Sequence, residues 1–170
     1  MTNSQLYVRS GSIHGVYGIM YAWYFPKSES QFPFDRNEEP DKVWYKHDWA
    51  NMVVWLDGAK DEAQLRGIAY SNARGKGYAS LPHGPENVQE KRPLVDYTWQ
   101  EGGQKTPHRL RPAKADSQGV DSPMVAWERL PWDAWWALNN ARIYQDVPMP
   151  MRDDKFQANL QAAYDAQGFS

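Results

Sequence analysis

The sequence contains no cysteine among its 170 residues, which excludes disulfide bonds, thiolate metal sites and cysteine nucleophiles. It also lacks an apolar run near the length that a membrane-spanning helix requires. The formal charge is −2, and basic residues are scattered apart from a loose basic stretch over 105–114. Nothing therefore predicts a nucleic-acid partner. The polar start, "MTNSQLYVRSGS", has no basic-then-apolar pattern, so we expect no secretory signal in the chain as given.

Aromatic residues are the abundant feature, with nine tryptophans and ten tyrosines. These side chains combine apolar area with a polar tip, so they serve cores, interfaces and sugar- or headgroup-facing surfaces alike. The chain length fits one domain with a substantial hydrophobic core.

Most of the chain has the pattern of short β-strands. In 16–25, aromatic and apolar residues occupy both alternating faces, which predicts a strand that is covered on both sides. Pro26 is predicted to end this strand, because proline cannot donate to a ladder. The other predicted strands cover 5–9, 49–57, 66–70, 94–99, 108–112 and 124–130. "GKGY" (75–78) predicts a hairpin turn, since a phosphate-binding loop would need a strand and a helix around it.

The last third of the chain changes to helical spacing. One helix is predicted over 131–143 and a second over 153–166, with Asp153 and Asp154 in the first turn of the second and Gly168 after its end. Trp132, Trp135 and Trp136 fit either a membrane-facing belt or packing on the sheet, and the spacing favours packing for at least two of them. The pattern predicts an all-β core with two late helices.

Two motifs resemble the necrosis- and ethylene-inducing peptide-like proteins (NLPs). "GIMYAWYFPK" (18–27) and "KHDWANMVVWL" (46–56) resemble that family's "AIMYSWYFPKD" strand and its heptapeptide "GHRHDWE" entering a "VVVWL" strand. Three later blocks follow in the family's order: "GIAYSNARGKGY" (67–78), "PMVAWERLPWDAW" (123–135) and "DDKFQANLQAAY" (153–164). The resemblance covers residues 5–166 as a single domain without the family's N-terminal portion.

The resemblance implies a mainly β (α+β) fold, an antiparallel β-sandwich like those of actinoporins and fungal fruit-body lectins, with two or three helices packed on it. It also implies a secreted effector that binds plant sphingolipid headgroups, glycosylinositol phosphorylceramides, and damages the plasma membrane through peripheral contact. The expected form is a monomer, and no enzyme is expected because no catalytic motif is present. Segment 18–27 is expected to be read by a plant immune receptor, as in the family.

The resemblance further implies a divalent cation held by four side chains, of which this chain keeps one. Asp48 is retained, whereas Ser28, Tyr45 and Ala50 occupy the other three ligand positions. His47 and Trp49 match supporting residues of the motif. Mg²⁺ and Ca²⁺ require several oxygen ligands, so we expect weak cation binding or none, and weakened or lost cytolysis.

Two alternatives stay open at this stage. Acidic residues in the long 28–45 loop are candidate replacement ligands for Mg²⁺ or Ca²⁺, or simply belong to a solvated loop; they are Asp35, Glu38, Glu39 and Asp41. His47 and Asp48 form either a remnant cation or headgroup site, or a buried polar pair that orients the loop and caps the strand. Trp99 and Tyr78 are candidate headgroup contacts. In function, the alternative is a lectin-like module that binds a glycan without lysis.

Overall fold

The structure is a computed structural model, and it describes residues 5–29, 44–72, 77–98, 109–114, 121–140 and 149–169. Strands dominate these ranges, and both α-helices lie near the C-terminus. None of the helices within these ranges is long and apolar enough to cross a membrane. The strands are β1 (Leu6–Ile13), β2 (Val16–Glu29), β3 (Trp44–Leu56), β4 (Leu65–Ser71), β5 (Tyr78–Ser80), β6 (Val88–Gln89), β7 (Arg92–Pro93), β8 (Val95–Thr98), β9 (Arg109–Pro112) and β10 (Met124–Ala126). The helices are α1 (Trp132–Asn139) and α2 (Phe156–Gln167).

The main sheet contains six strands in the order β10-β1-β2-β3-β4-β5. Its pairings are antiparallel, except that β1 and β10 run parallel. β4 pairs directly with β5, and the Asn72 backbone amide donates to the Gly77 carbonyl at 3.0 Å, as the hairpin predicted before Tyr78 requires; residues 73–76 lie outside the described residues. Two short ribbons, β6–β7 and β8–β9, complete the strand set of the described ranges.

The sheet is covered on both faces, as the pattern in β2 predicts. One face packs against α2 through the large apolar side chains of β2 and β3, with Trp55 and Leu160 completely buried. The other face packs against the β8–β9 ribbon, where Leu110 is 2% exposed. The result is a layered sandwich in which β2 and β3 lie at the centre. The predicted mainly β class with packed helices is therefore confirmed.

A glycine allows the helix to approach the sheet. A Cβ atom on Gly18 would lie 2.7 Å from Cζ3 of Trp55 and 3.0 Å from Cδ1 of Leu160. Neither neighbour can move easily, since both are completely buried. Glycine at this point of β2 is thus required by close packing.

The prediction that Pro26 ends its strand is wrong. β2 continues to Glu29 and β3 begins at Trp44, five residues before its predicted start. In the ladder Phe25 lies opposite Asp48 and Lys27 lies opposite Lys46, so Pro26 falls at the interruption between these pairs. The proline is tolerated there because the ladder requires no donor from it.

The late helices occur where the sequence predicts them, with differences at their ends. α1 is Trp132–Asn139 and α2 starts at Phe156, so Asp153 and Asp154 precede the helix rather than forming its first turn. Asp153 instead forms a 2.8 Å ion pair with Arg9 on β1. The end of α2 is as predicted, since Gly168 has a left-handed backbone with φ of 65°.

The prediction that at least two of the α1 tryptophans pack on the sheet is wrong. Trp132 is 69% exposed and Trp136 is 50% exposed, while Trp135 packs against the core. α1 has only eight residues, and its buried contact is made chiefly by Leu138. Helical spacing identified the helix but not which of its faces would be covered.

Candidate functional site

Asp48 lies in β3 and is almost completely buried, with 2% of the residue exposed. Its carboxylate accepts a hydrogen bond from the hydroxyl of Tyr97, with 2.7 Å between Oη and Oδ2. The Tyr97 ring stacks on Phe25, with 3.8 Å between centroids and 6° between planes. Phe25 is itself the cross-strand partner of Asp48. The carboxylate is therefore held between β2, β3 and the β8–β9 ribbon.

The other three predicted ligand positions lie on the same two strands. Ser28 and Tyr45 are cross-strand partners near the end of the β2–β3 ladder. Ala50 lies opposite Trp23, is 4% exposed and packs in the apolar cluster under the ribbon. Because Ala50 is two residues from Asp48 in a strand, the two side chains share a face, but a methyl group donates nothing to an ion.

The donor set among the described residues does not fit a divalent cation. A hard cation takes six or more oxygen ligands, several of them carboxylates. The described ranges contain no group of three or more histidine, aspartate or glutamate residues that could hold a metal ion. The candidate replacement ligands lie outside the described residues; they are Asp35, Glu38, Glu39 and Asp41. Weak cation binding stays a prediction.

His47 interrupts the regular strand backbone. Its φ of 63° lies in the left-handed region, which residues other than glycine rarely adopt. His47 Nδ1 and the Tyr24 hydroxyl are 2.5 Å apart, and the two rings stack with 5.9 Å between centroids. The interpretation of His47 and Asp48 as a cap at the start of the strand is wrong, because β3 begins three residues earlier. Their side chains instead contact different tyrosines, Tyr24 and Tyr97.

Trp49 belongs to the opposite face of the sheet from Asp48. It is 2% exposed and contacts two tyrosine rings, Tyr24 at 4.9 Å and Tyr7 at 5.8 Å between centroids. The supporting role that the motif assigns to Trp49 is thus filled by packing between β1, β2 and β3. His47 and Trp49 both contact Tyr24, so this one side chain joins the two motif residues.

A buried polar network lies beside Ala50 and was not predicted. Asn51 is 1% exposed. Its backbone amide donates to Ser71 Oγ at 3.0 Å, and its side-chain Oδ1 accepts from the Tyr78 hydroxyl at 2.6 Å. Burial raises the pKa of Tyr78 well above its usual value. Tyr78 is therefore engaged inside the protein, which contradicts its interpretation as a headgroup contact. Trp99 lies outside the described residues.

Tyr97 is the functional candidate that sequence reasoning missed. It is 49 residues from Asp48 in the chain, and it lies on a four-residue strand whose pattern indicates only which face is buried. No spacing rule relates a tyrosine in one short strand to an aspartate in another. Only the docking of the ribbon onto β3 brings the two side chains together.

Comparisons with known proteins place this geometry in a family. The sequence profile described as "Necrosis inducing protein (NPP1)" matches residues 1–163. The chain belongs to this family of necrosis-inducing proteins. It is 31% identical over 164 residues to the necrosis-inducing protein NPP1 of Phytophthora nicotianae, and 29% identical over 162 residues to NLP effector protein 10 of Phytophthora capsici. Both matches cover 95% of this chain but only 62% of the relative, so the chain spans about three fifths of their length.

Solved structures of the family share the fold. A structure described as a toxin fold for microbial attack and plant defense superposes with a TM-score of 0.74 at 28% identity, covering 96% of this chain and 69% of the other. NLPPya in complex with glucosamine gives 0.71 at 28% identity, covering 94% and 67%, and there is a second complex with mannosamine. The non-toxic HaNLP3 protein gives 0.72 at 26% identity, covering 93% and 66%.

Proposed function

We propose that this protein is a secreted effector that recognises the sugar headgroups of plant sphingolipids at the membrane surface, with weakened or lost cytolytic activity. It acts by binding as a monomer, and not by catalysis. The observation that carries the proposal is the environment of Asp48. The one retained ligand is buried, accepts a hydrogen bond from Tyr97 and has the apolar Ala50 beside it on its face of the sheet.

The chemistry of this environment disfavours a doubly charged ion. A single carboxylate supplies one negative charge, and removing a divalent ion from water requires several oxygen ligands in compensation. The Tyr97 hydroxyl stabilises the carboxylate through a neutral donor and needs no ion to do so. A hydrogen bond and ring stacking support this part of the scaffold without an ion.

The alternative is a lectin-like module that binds a glycan without lysis. The complexes of NLPPya with glucosamine and mannosamine support it, because they associate amino sugars with this fold at 28% identity. The described surface also offers an exposed indole on α1, Trp132, of the kind that stacks on sugar rings. This alternative needs neither a cation nor membrane damage.

Recognition by a plant immune receptor involves a different state of the chain. Segment 18–27 lies in β2, which pairs with β3 along one edge and with β1 along the other edge as far as Trp23, and apolar clusters cover both faces of the strand. A receptor cannot reach the backbone of such a strand in the folded protein. We propose that the segment is recognised only after proteolysis releases it, so the folded and the degraded protein carry separate signals.

The test compares leakage and binding on liposomes that contain plant glycosylinositol phosphorylceramides. We expect sugar-dependent binding by the wild type, little dye leakage, and no loss of binding when EDTA is added. Asp48→Ala should leave binding to these liposomes within about twofold, because the proposal gives the ion no part in it. Strong leakage that EDTA abolishes would contradict the weakened activity. Equal binding to liposomes with and without the sugar headgroup would contradict the recognition itself.

A further inference from the structure

Two arginines share the outer face of the β8–β9 ribbon. Arg109 and Arg111 flank Leu110, whose side chain is 2% exposed in the apolar cluster beneath the ribbon. Because successive side chains alternate in a strand, both arginines project from the opposite face, with Cα atoms about 7 Å apart. They lie in the middle of the basic stretch over 105–114, and the proposed function gives this stretch no role.

Neither guanidinium is neutralised by the described part of the chain. No described residue forms a hydrogen bond or ion pair with Arg109 or Arg111, and the Nε atom of each is buried without a hydrogen bond. Burial, followed by the neighbouring charge of Arg111, lowers the pKa of Arg109. Two adjacent like charges repel each other, and an anion bound between the outer ends of the two guanidinium groups would relieve that repulsion.

The cross-strand neighbours define the rest of this face. Thr98 lies opposite Arg109, so its hydroxyl offers a further donor beside that guanidinium. Asp96 lies opposite Arg111 but is exposed and forms no ion pair with it within the described ranges. Asp96 therefore weakens the positive field of the face without satisfying either arginine.

The ribbon is fixed at its base, so the arginine backbones are held in place. The Ala113 amide donates to the Leu94 carbonyl at 2.9 Å, and the Asn87 side-chain amide donates to the Ala113 carbonyl at 2.7 Å. Asn87 and Ala113 are both buried. A site on such a ribbon loses little backbone freedom when a ligand binds.

We infer that Arg109 and Arg111 form a binding site for a phosphate group, either free phosphate or the phosphodiester of a lipid headgroup. Each planar guanidinium matches two phosphate oxygens, and two of them on one face match the several oxygens of a single phosphate. A carboxylate has only two oxygens and would be satisfied by one arginine. The site does not depend on the sugar recognition proposed above, because Tyr97 contacts Asp48 of β3 from the inner face of the ribbon, whereas the two arginines lie on the outer face.

Titration calorimetry with inorganic phosphate tests the site on the full chain. Wild type should bind, and Arg109→Gln with Arg111→Gln together should weaken binding at least about tenfold. The matched control replaces two exposed arginines, Arg92→Gln with Arg129→Gln, which removes the same charge elsewhere and should leave binding within about twofold. No binding by wild type, or equal weakening in both double variants, overturns the inference.

Two further variants separate a specific site from charge or misfolding. Arg109→Lys with Arg111→Lys keeps the charge but loses the planar fork, so its binding should be intermediate between wild type and the glutamine variant. Asp96→Asn removes the opposing charge and should strengthen phosphate binding by about two- to fivefold. Unchanged binding in Asp96→Asn would contradict the placement of the phosphate beside Arg111. Circular dichroism establishes that each variant is folded.

Vesicles distinguish the two sources of the phosphate group. Phosphatidylcholine vesicles with and without phosphatidylinositol are compared for wild type, the glutamine double variant and the control Arg92→Gln with Arg129→Gln. The choline cation balances the phosphodiester charge of phosphatidylcholine, whereas the phosphodiester of phosphatidylinositol keeps its negative charge. Binding that requires phosphatidylinositol, is lost in the glutamine variant and persists in the control identifies a headgroup phosphate. Binding of inorganic phosphate alone identifies a soluble one. Because these vesicles contain no sphingolipid sugar, failure here leaves the proposed glycan recognition intact, and the reverse also holds.

Discussion

Replacing Tyr97 by phenylalanine isolates the hydrogen bond that holds Asp48. The change removes one oxygen and retains the ring that stacks on Phe25 at 3.8 Å. A hydrogen bond to a charged group contributes about 1.5–3 kcal/mol, and Asp48 is 2% exposed, so water cannot readily replace the lost donor. We therefore expect Tyr97→Phe to reduce the free energy of unfolding by about 1.5–3 kcal/mol. For a chain of this size the midpoint of thermal unfolding should fall by about 3–12 °C.

Urea unfolding followed by circular dichroism measures this loss. The control is Tyr17→Phe, whose hydroxyl bonds to Ser10 Oγ at 2.7 Å on the exposed surface and should cost less than about 0.5 kcal/mol. A double-mutant cycle with Asp48→Asn should give a coupling energy of about 1 kcal/mol or more. If Tyr97→Phe is as stable as wild type, the Tyr97 hydroxyl does not stabilise the Asp48 carboxylate.

Three further predictions concern the fold. Gly18→Ala should cost about 1–3 kcal/mol in urea unfolding, because the new methyl meets the Trp55 ring and Leu160. Gly67→Ala should cost less than half as much, because its new methyl clashes with the movable end of Gln167 and makes an ordinary contact with Phe169. Burial raises the pKa of Tyr70 to about 12 from 10.0, so the folded protein binds this phenolic proton more tightly than the unfolded chain does. The contribution of Tyr70 to the free energy of unfolding should be fully present below pH 10 and should fall by on the order of 2–3 kcal/mol towards pH 12. Tyr70→Phe should remove that part of the pH dependence, which urea unfolding at pH 9 and 11 measures. If the free energy of unfolding falls equally in wild type and Tyr70→Phe between these pH values, Tyr70 is not the group responsible. Trp132→Ala should change stability by less than about 0.5 kcal/mol, and a larger loss would mean that its exposed ring packs.

The strand pattern was the part of the fold that sequence alone could predict. In β2 the alternating faces correctly predicted two buried surfaces, because period-two patterning depends only on which side of a strand each residue occupies. Pro26 was misjudged because its effect depends on the partner strand. A proline is excluded only where the ladder needs its amide, and the break opposite His47 removes that need.

The candidate site was predictable only in part. Motif resemblance located Asp48, His47 and Trp49, which are consecutive in the chain. It did not locate Tyr97, which reaches Asp48 from a separate strand pair, nor the burial of Ala50 under the same ribbon. Local sequence therefore identified the carboxylate, whereas tertiary packing determines what that carboxylate contacts.

Loss of the hydrogen bond between Tyr97 and Asp48 should affect cation binding in the opposite direction from stability. A divalent ion that takes Oδ2 of Asp48 competes with the Tyr97 hydroxyl, so its apparent affinity is reduced by the energy of that bond. At about 1.5–3 kcal/mol, the reduction is about 10- to 150-fold. Tyr97→Phe should thus lower stability while strengthening Ca²⁺ or Mg²⁺ binding in titration calorimetry, and Tyr17→Phe should change neither. If the Tyr97 hydroxyl only supported the fold, its removal would lower both the stability and the affinity for the cation. Weaker cation binding in Tyr97→Phe would therefore refute the competition.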